Sequence, residues 1–207
     1  VNSVLDTVLA ALLFFSYKSS MKEKDELREQ ALLHLDRLRA GDEDPEAAAA
    51  LFRDNVPMMN GQVVALYWPM QNEFDVRYII DDLLRRDVAV ALPITSRKTR
   101  EMVFSLWDGK GDLAKGEFGV FIPPVERRVE PDIVVVPMLA FDRKGTRLGR
   151  GGGHYDTTLA ALRQKRDILA VGVAYAAQAV LFNLPVEPHD QKLDMIITPK
   201  DVFDFRT

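Results

Sequence analysis

The sequence contains no cysteine. Disulfides, thiolate nucleophiles and Cys-based zinc sites are thereby excluded. Histidine is scarce: His34, His154 and His189 are too scattered for a His-rich metal site. Excess basic charge is also missing. The formal net charge of −4 gives no long-range attraction for nucleic acid or an anionic membrane, so an anionic ligand must be held by a local cluster. The apolar run from Val8 to Phe15 is far too short to span a bilayer. It also lacks the preceding Lys or Arg of a signal peptide, since the first basic residue is Lys18. We expect residues 1–20 to be an apolar extension, a helix packed on the body or on a neighbouring chain. A targeting role, or translation that starts at Met21, are the alternatives the sequence leaves open.

What is present suits one folded unit over residues 21–207. Hydrophobic residues make up 47% of the 207 and charged residues 28%, enough apolar material for a layered core. Leu27, Ala31, Leu35 and Leu38 form one stripe of an amphipathic helix over 21–40, stopped by Gly41. Asp44-Pro45 starts a second helix, with Asp as cap and Pro in the first turn. From Gln62 the pattern alternates. Strands are predicted at Val63–Tyr67, Val88–Leu92 (ended by Pro93), Met102–Trp107, Ile133–Val136, Ile168–Val173 and Met195–Thr198. Helices are predicted after the Asp75 cap, over about 155–165, and at Ala177–Phe182, with an exposed loop at Gly109–Gly119. Such alternation implies a three-layer α/β/α sandwich, Rossmann-like, with a mainly parallel sheet plus the N-terminal helices. Ligands bind such sheets beyond the carboxyl ends of the strands.

One stretch at such an end carries unusual chemistry. It runs from Pro137 to Asp156 and contains Gly149, Gly151, Gly152 and Gly153 between arginines and a helix start. Glycines let successive backbone N–H groups turn inward. The helix N-terminus adds its dipole, and Arg147 and Arg150 can fork onto phosphate oxygens. This is a polyphosphate cradle, or otherwise a tight strand-to-helix turn with solvent-facing arginines. Asp156 could ligate Mg²⁺ or simply offset the helix dipole. No Gly-Lys-Ser/Thr follows, so it is not a Walker loop, and G-x-G-x-x-G does not fit either.

The stretch resembles the signature of the 5-formyltetrahydrofolate cyclo-ligases, P-x-x-A-F-D-x-x-G-x-R-L-G-x-G-x-G-x-Y-D. Pro137, Ala140, Phe141, Asp142, Gly145, Arg147, Leu148, Gly149, Gly151, Gly153, Tyr155 and Asp156 meet every fixed position. Lys24, Leu27 and Arg28 match an N-terminal K-x-x-L-R motif, and Pro188 to Asp194 resembles the closing one. The resemblance implies a cytoplasmic enzyme with a small-molecule folate substrate; the oligomeric state is open in the sequence, with a monomer or weak homo-oligomer expected. It implies that Mg-ATP drives cyclisation to 5,10-methenyltetrahydrofolate through a phosphorylated formyl group, releasing ADP and phosphate. ATP would be met by Lys24, Arg28, Arg147, Gly149, Arg150, Gly151, Gly152, Gly153, His154 and Tyr155. Trp68, Met70, Glu73 and Tyr155 would meet the folate, Asp156 and Asp190 the Mg²⁺, and Arg147, Arg150 and Tyr155 the reacting groups. Three positions depart from the pattern: His154 where tyrosine is frequent, Gly152 where some members carry lysine, and Thr157 where many carry arginine. A non-catalytic nucleotide- or folate-binding module, or an ATP-using enzyme for a non-folate amide, are the rival readings.

Overall fold

The structure, a computed structural model, describes residues 22–38, 43–70 and 72–206. The apolar extension at 1–20 and the expected helix stop at Gly41 lie outside the described residues.

The chain opens with α1 (22–35), followed by a short turn that holds Leu38. In α2 (Pro45–Asn55) the Asp44 carboxylate accepts the Glu46 N–H at 2.9 Å, so the cap and the first-turn proline act as expected. The main strands are β1 (Val63–Ala65), β2 (Ala89–Ile94), β3 (Val103–Trp107), β7 (Ile133–Val136), β10 (Leu169–Val173) and β11 (Met195–Ile197). The main helices between them are α3 (Arg77–Arg85) and α4 (His154–Lys165). Six short strands lie between β3 and α4 or after β11: β4 (Ala114–Lys115), β5 (Phe121–Ile122), β6 (Arg128–Val129), the hairpin β8 (Ala140–Phe141) and β9 (Arg147–Leu148), and β12 (Val202–Asp204).

The central sheet has the order β12-β11-β10-β7-β1-β2-β3-β6. Its middle, β11-β10-β7-β1-β2, is parallel, and antiparallel pairs close both edges. Side chains alternate between two cores, as strand geometry requires. Val64, Val90, Ile133, Val135, Val171 and Ile197 face α2 and α3, with Phe52, Ile79, Ile80 and Leu83. Ala65, Ala91, Val134, Val136, Ala170 and Ile196 face α4, with Leu159 and Leu162. The alanines on that second face leave room for α4. Gly172 is tighter still, because a Cβ there would come within 2.3 Å of Met138 Cε. This is the expected three-layer sandwich. The direction of winding reverses at β1, which has β2 on one side and β7 on the other.

Several expectations need correction. Pro93 does not end β2, which continues to Ile94 and pairs Pro93 with Phe104 of β3. Ala91 gives its carbonyl to Leu66, on the β1 side. By alternation the Pro93 nitrogen also faces that side, where β1 has already ended, so no ladder bond is lost. The helix expected at Ala177–Phe182 is only a 3₁₀ turn, Ala176–Gln178. Leu181 and Phe182 lie exposed beyond it. The Gly109–Gly119 segment is not a plain loop: it carries β4, which pairs with β5 into a ribbon.

Candidate active site

The signature stretch begins where β7 ends and is first folded back as the β8–β9 hairpin. Asp142 organises its turn. One carboxylate oxygen accepts the Lys144 and Thr146 N–H groups at 2.8 and 3.0 Å, and the other accepts the Leu184 N–H at 3.0 Å. Gly145 completes the turn at φ 74°, and a Cβ there would lie 2.9 Å from the Leu193 carbonyl. Arg147 and Leu148 therefore sit on a defined strand rather than on a free loop. The glycines follow, with Gly151 and Gly153 in the left-handed region, and Gly153 is the N-cap of α4.

A cavity of about 680 Å³ opens at the carboxyl ends of β1, β2 and β7, beside the reversal point. All the candidate ATP-, folate- and Mg²⁺-contacting residues named from the sequence line it. Lys24 and Arg28 come from α1. Trp68, Met70 and Glu73 come from the turn after β1. Arg147, Gly149, Arg150, Gly151, Gly152 and Gly153 come from the signature. His154, Tyr155 and Asp156 come from the first turn of α4, and Asp190 from the last loop before β11.

The charged groups are paired across the cavity wall. Lys24 is buried, with its ammonium 2.8 Å from Glu187 and 2.5 Å from Asp190. Arg28 pairs with Asp25 and donates to the Gly149 carbonyl at 3.1 Å. Lys24 and Arg28 thus share the cavity, but each has its own carboxylate. The Arg147 guanidinium, 5% exposed, donates to Asp156 at 2.8 Å. Its Nε is buried without a hydrogen-bond partner among the described residues. Asp156 also accepts the Gln191 N–H at 3.0 Å, tying α4 to the last loop. Arg150 donates to Glu73 at 3.1 Å. Tyr155 lies 6.0 Å under the Arg147 guanidinium. Burial, and then the Glu73 charge, hold its hydroxyl well above the usual tyrosine range, so it is a neutral donor at ordinary pH. His154 places Nδ1 3.0 Å from the Arg100 carbonyl and its ring edge-on to Phe118 at 5.5 Å.

Two oxygen-rich groups could hold a divalent cation. Asp156 and Asp190 both line the cavity, engaged with Arg147 and Lys24 respectively. Glu187, His189 and Asp190 bring ligand atoms within 4.8 Å of one another. Glu187 Oε1 is buried without a hydrogen-bond partner among the described residues. Glu187, Arg100 and Phe118 escaped the sequence reading. Glu187 had a signal, as an acid beside the Pro188-His189-Asp190 motif. Phe118 had none, because its segment reads as a loop.

The chain matches the model of the 5-formyltetrahydrofolate cyclo-ligase family over residues 20–199. It belongs to that family. A 5-formyltetrahydrofolate cyclo-ligase of Mycolicibacterium smegmatis is 35% identical over 150 residues, covering 69% of this chain and 76% of that protein. The Escherichia coli K12 cyclo-ligase is 30% identical over 166 residues, 77% of this chain and 90% of that one. Among solved structures, the 5,10-methenyltetrahydrofolate synthetase of Aquifex aeolicus aligns with a TM-score of 0.74 at 29% identity, covering 89% of this chain and 93% of that one. Of the signature, Pro137, Arg147, Leu148, Gly149, Gly151, Gly153, Tyr155 and Asp156 line the cavity.

Proposed function

We propose that this cavity binds 5-formyltetrahydrofolate and Mg-ATP and joins the formyl carbon to N10, giving 5,10-methenyltetrahydrofolate, ADP and phosphate. One observation carries the reading. A single cavity has the cation- and glycine-rich signature on one wall and Trp68, Met70 and Glu73 on the other. That suits a reaction between a polyphosphate and a flat, partly apolar substrate.

The residues fit the groups the reaction needs. Lys24, Arg28, Arg147 and Arg150 give the phosphate side positive charge, and the Arg147 Nε, without a hydrogen-bond partner among the described residues, is a donor in reserve. Asp156 and Asp190 offer the carboxylate oxygens Mg²⁺ prefers. When bound, the magnesium would neutralise oxyanion charge on the phosphates. Among the described residues no helix is long and apolar enough to cross a membrane, and a cytoplasmic location belongs to the same proposal.

The formyl oxygen of the folate attacks the terminal phosphorus of ATP. An O–P bond forms as the bond to ADP breaks, leaving the formyl oxygen phosphorylated and the formyl carbon electrophilic. The N10 lone pair then attacks that carbon. The C–O bond breaks, phosphate leaves with the former formyl oxygen, and N10 gives up its proton. No side-chain nucleophile is required. The protein contributes positioning and charge. Arg147 and Arg150 stabilise the transferring phosphoryl group, Tyr155 donates a hydrogen bond as a neutral phenol, and Glu73 orients the folate.

The test is to incubate the purified chain with Mg-ATP and 5-formyltetrahydrofolate and follow methenyltetrahydrofolate by its absorbance. Product that requires both ATP and magnesium, and that collapses in Arg147→Ala, supports the reading. ATP binding by calorimetry with no product would overturn it in favour of a non-folate amide or a non-catalytic binder.

A further inference from the structure

The cations that α1 and the signature contribute to the cavity each face a protein carboxylate: Lys24 faces Glu187 and Asp190, Arg28 faces Asp25, Arg147 faces Asp156 and Arg150 faces Glu73. Arg100 also lines the cavity, and it has no ion pair among the described residues. It sits in the β2–β3 connection with Arg97 and Lys98, which likewise have no ion pair there. Glu117, from the β4–β5 ribbon, accepts the Arg97 backbone N–H.

This connection is held in place. The Thr95 hydroxyl donates to the Glu117 carbonyl at 3.4 Å. Ser96 Oγ accepts the Lys98 N–H and Thr99 Oγ1 accepts the Glu101 N–H, each at 3.1 Å. The Arg100 carbonyl meets His154 Nδ1 at 3.0 Å, and the Met102 N–H donates to Thr158 at 2.9 Å. The Arg97 guanidinium lies 5.4 Å over the Phe118 ring. An exposed arginine at the rim is thus carried by backbone pinned both to the β4–β5 ribbon and to α4, which lowers the cost of ordering it around a ligand.

We propose that Arg100 binds a carboxylate of the folate's glutamate tail. This rests on the function proposed above. The folate carries two carboxylates at the end away from its reacting ring, and the cavity's other cations are matched by protein acids. Thr95, Met102, Phe118 and Val120 line the same cavity, from the β2–β3 connection and the β4–β5 ribbon. A phosphate oxygen would satisfy the same guanidinium. Arg100 Nη1 lies 3.7 Å from where a Cβ on Gly153 would sit, so ATP is the competing source.

The two sources are separated by Michaelis constants for wild type, Arg100→Ala and Arg100→Lys. The substrates are 5-formyltetrahydrofolate and its derivative with both tail carboxylates amidated. Arg100→Ala should raise the folate KM about tenfold, the loss expected for one charge-assisted hydrogen bond at an exposed site. Arg100→Lys should recover part of it. The amidated substrate should show a raised KM with wild type and no further rise with Arg100→Ala. A rise in the ATP KM instead assigns Arg100 to phosphate and overturns the proposal. An equal rise for both folates, or no rise, also overturns it. Wild type that forms no methenyl product overturns the underlying function as well, so the two failures are distinguishable.

Discussion

Arg150 Nε lies 3.1 Å from Glu73 Oε1, joining the signature to the turn after β1 across 77 positions of sequence. The other Glu73 oxygen accepts the Met70 N–H at 3.0 Å. Glu73 therefore shapes its own turn and also anchors the opposite wall. Glu73→Gln keeps an acceptor for Met70 and removes the charge, whereas Glu73→Ala removes both. We expect the glutamine variant to melt close to wild type with a folate KM raised at least about tenfold. The alanine variant should in addition lose about 1 kcal/mol of stability. Thermal melts alongside kinetics check this, and an unchanged folate KM in Glu73→Gln would remove Glu73 from the substrate site.

Arg147 and Asp156 form a pair of a different kind, with side chains only 5% and 16% exposed. Taking away the acid leaves a nearly buried guanidinium uncompensated. Asp156→Ala should lower the unfolding free energy by about 3 kcal/mol in urea titrations. Arg147→Ala should instead act on turnover, lowering kcat/KM by roughly a hundredfold or more if it stabilises charge in the transition state. A variant that lost stability but kept full turnover would assign Arg147 a purely structural role.

These pairs show what a sequence reveals and what it hides. The unbroken β-branched strand Ile133–Val136 and the Asp44-Pro45 cap act locally, so pattern alone locates them. The glycines and arginines of the signature sit close together in sequence, and their clustering marks the site. Residue pairs such as Lys24 with Glu187 lie 163 positions apart, and only the sheet topology brings them together. Two-residue strands such as β4 and β9 carry too little periodicity to recognise. Pro93 misleads for a physical reason: a proline breaks a strand only where its missing N–H is needed. Arg100 looks like any solvated cation until the carboxylate partners of its neighbours are known.

Asp142, itself buried, holds the β8–β9 turn together through two backbone N–H groups and ties it to Leu184 through a third. Asp142→Ala leaves those donors without their acceptor and should cost about 3 kcal/mol. Because β9 carries Arg147, the loss should also appear in turnover at temperatures where the variant is fully folded. Asp142→Asn retains the acceptor oxygen on one side and should lose markedly less. Urea titrations with activity measured on the same samples check both effects, and an alanine variant as stable as wild type would contradict the role assigned to this carboxylate.

Tyr67 is buried where β1 runs into the cavity wall, and its hydroxyl donates to the Phe74 carbonyl at 3.1 Å. Burial first, then the Glu73 charge, push its ionisation well above the ordinary tyrosine value. The sign of the consequence follows from proton counting. Below about pH 10 the phenol is protonated in both folded and unfolded chains and stability is indifferent to it. Above that pH the unfolded chain releases the proton while the folded chain keeps it, so stability falls as pH rises. The limiting slope is about 1.4 kcal/mol per pH unit for each such tyrosine. Tyr67→Phe should flatten this fall above pH 10, although it will be less stable at neutral pH for want of the hydrogen bond to Phe74. Urea titrations between pH 8 and pH 11 on wild type and variant separate the two effects. Parallel stability curves for the two proteins would mean that Tyr67 ionises as readily in the folded chain as in the unfolded one.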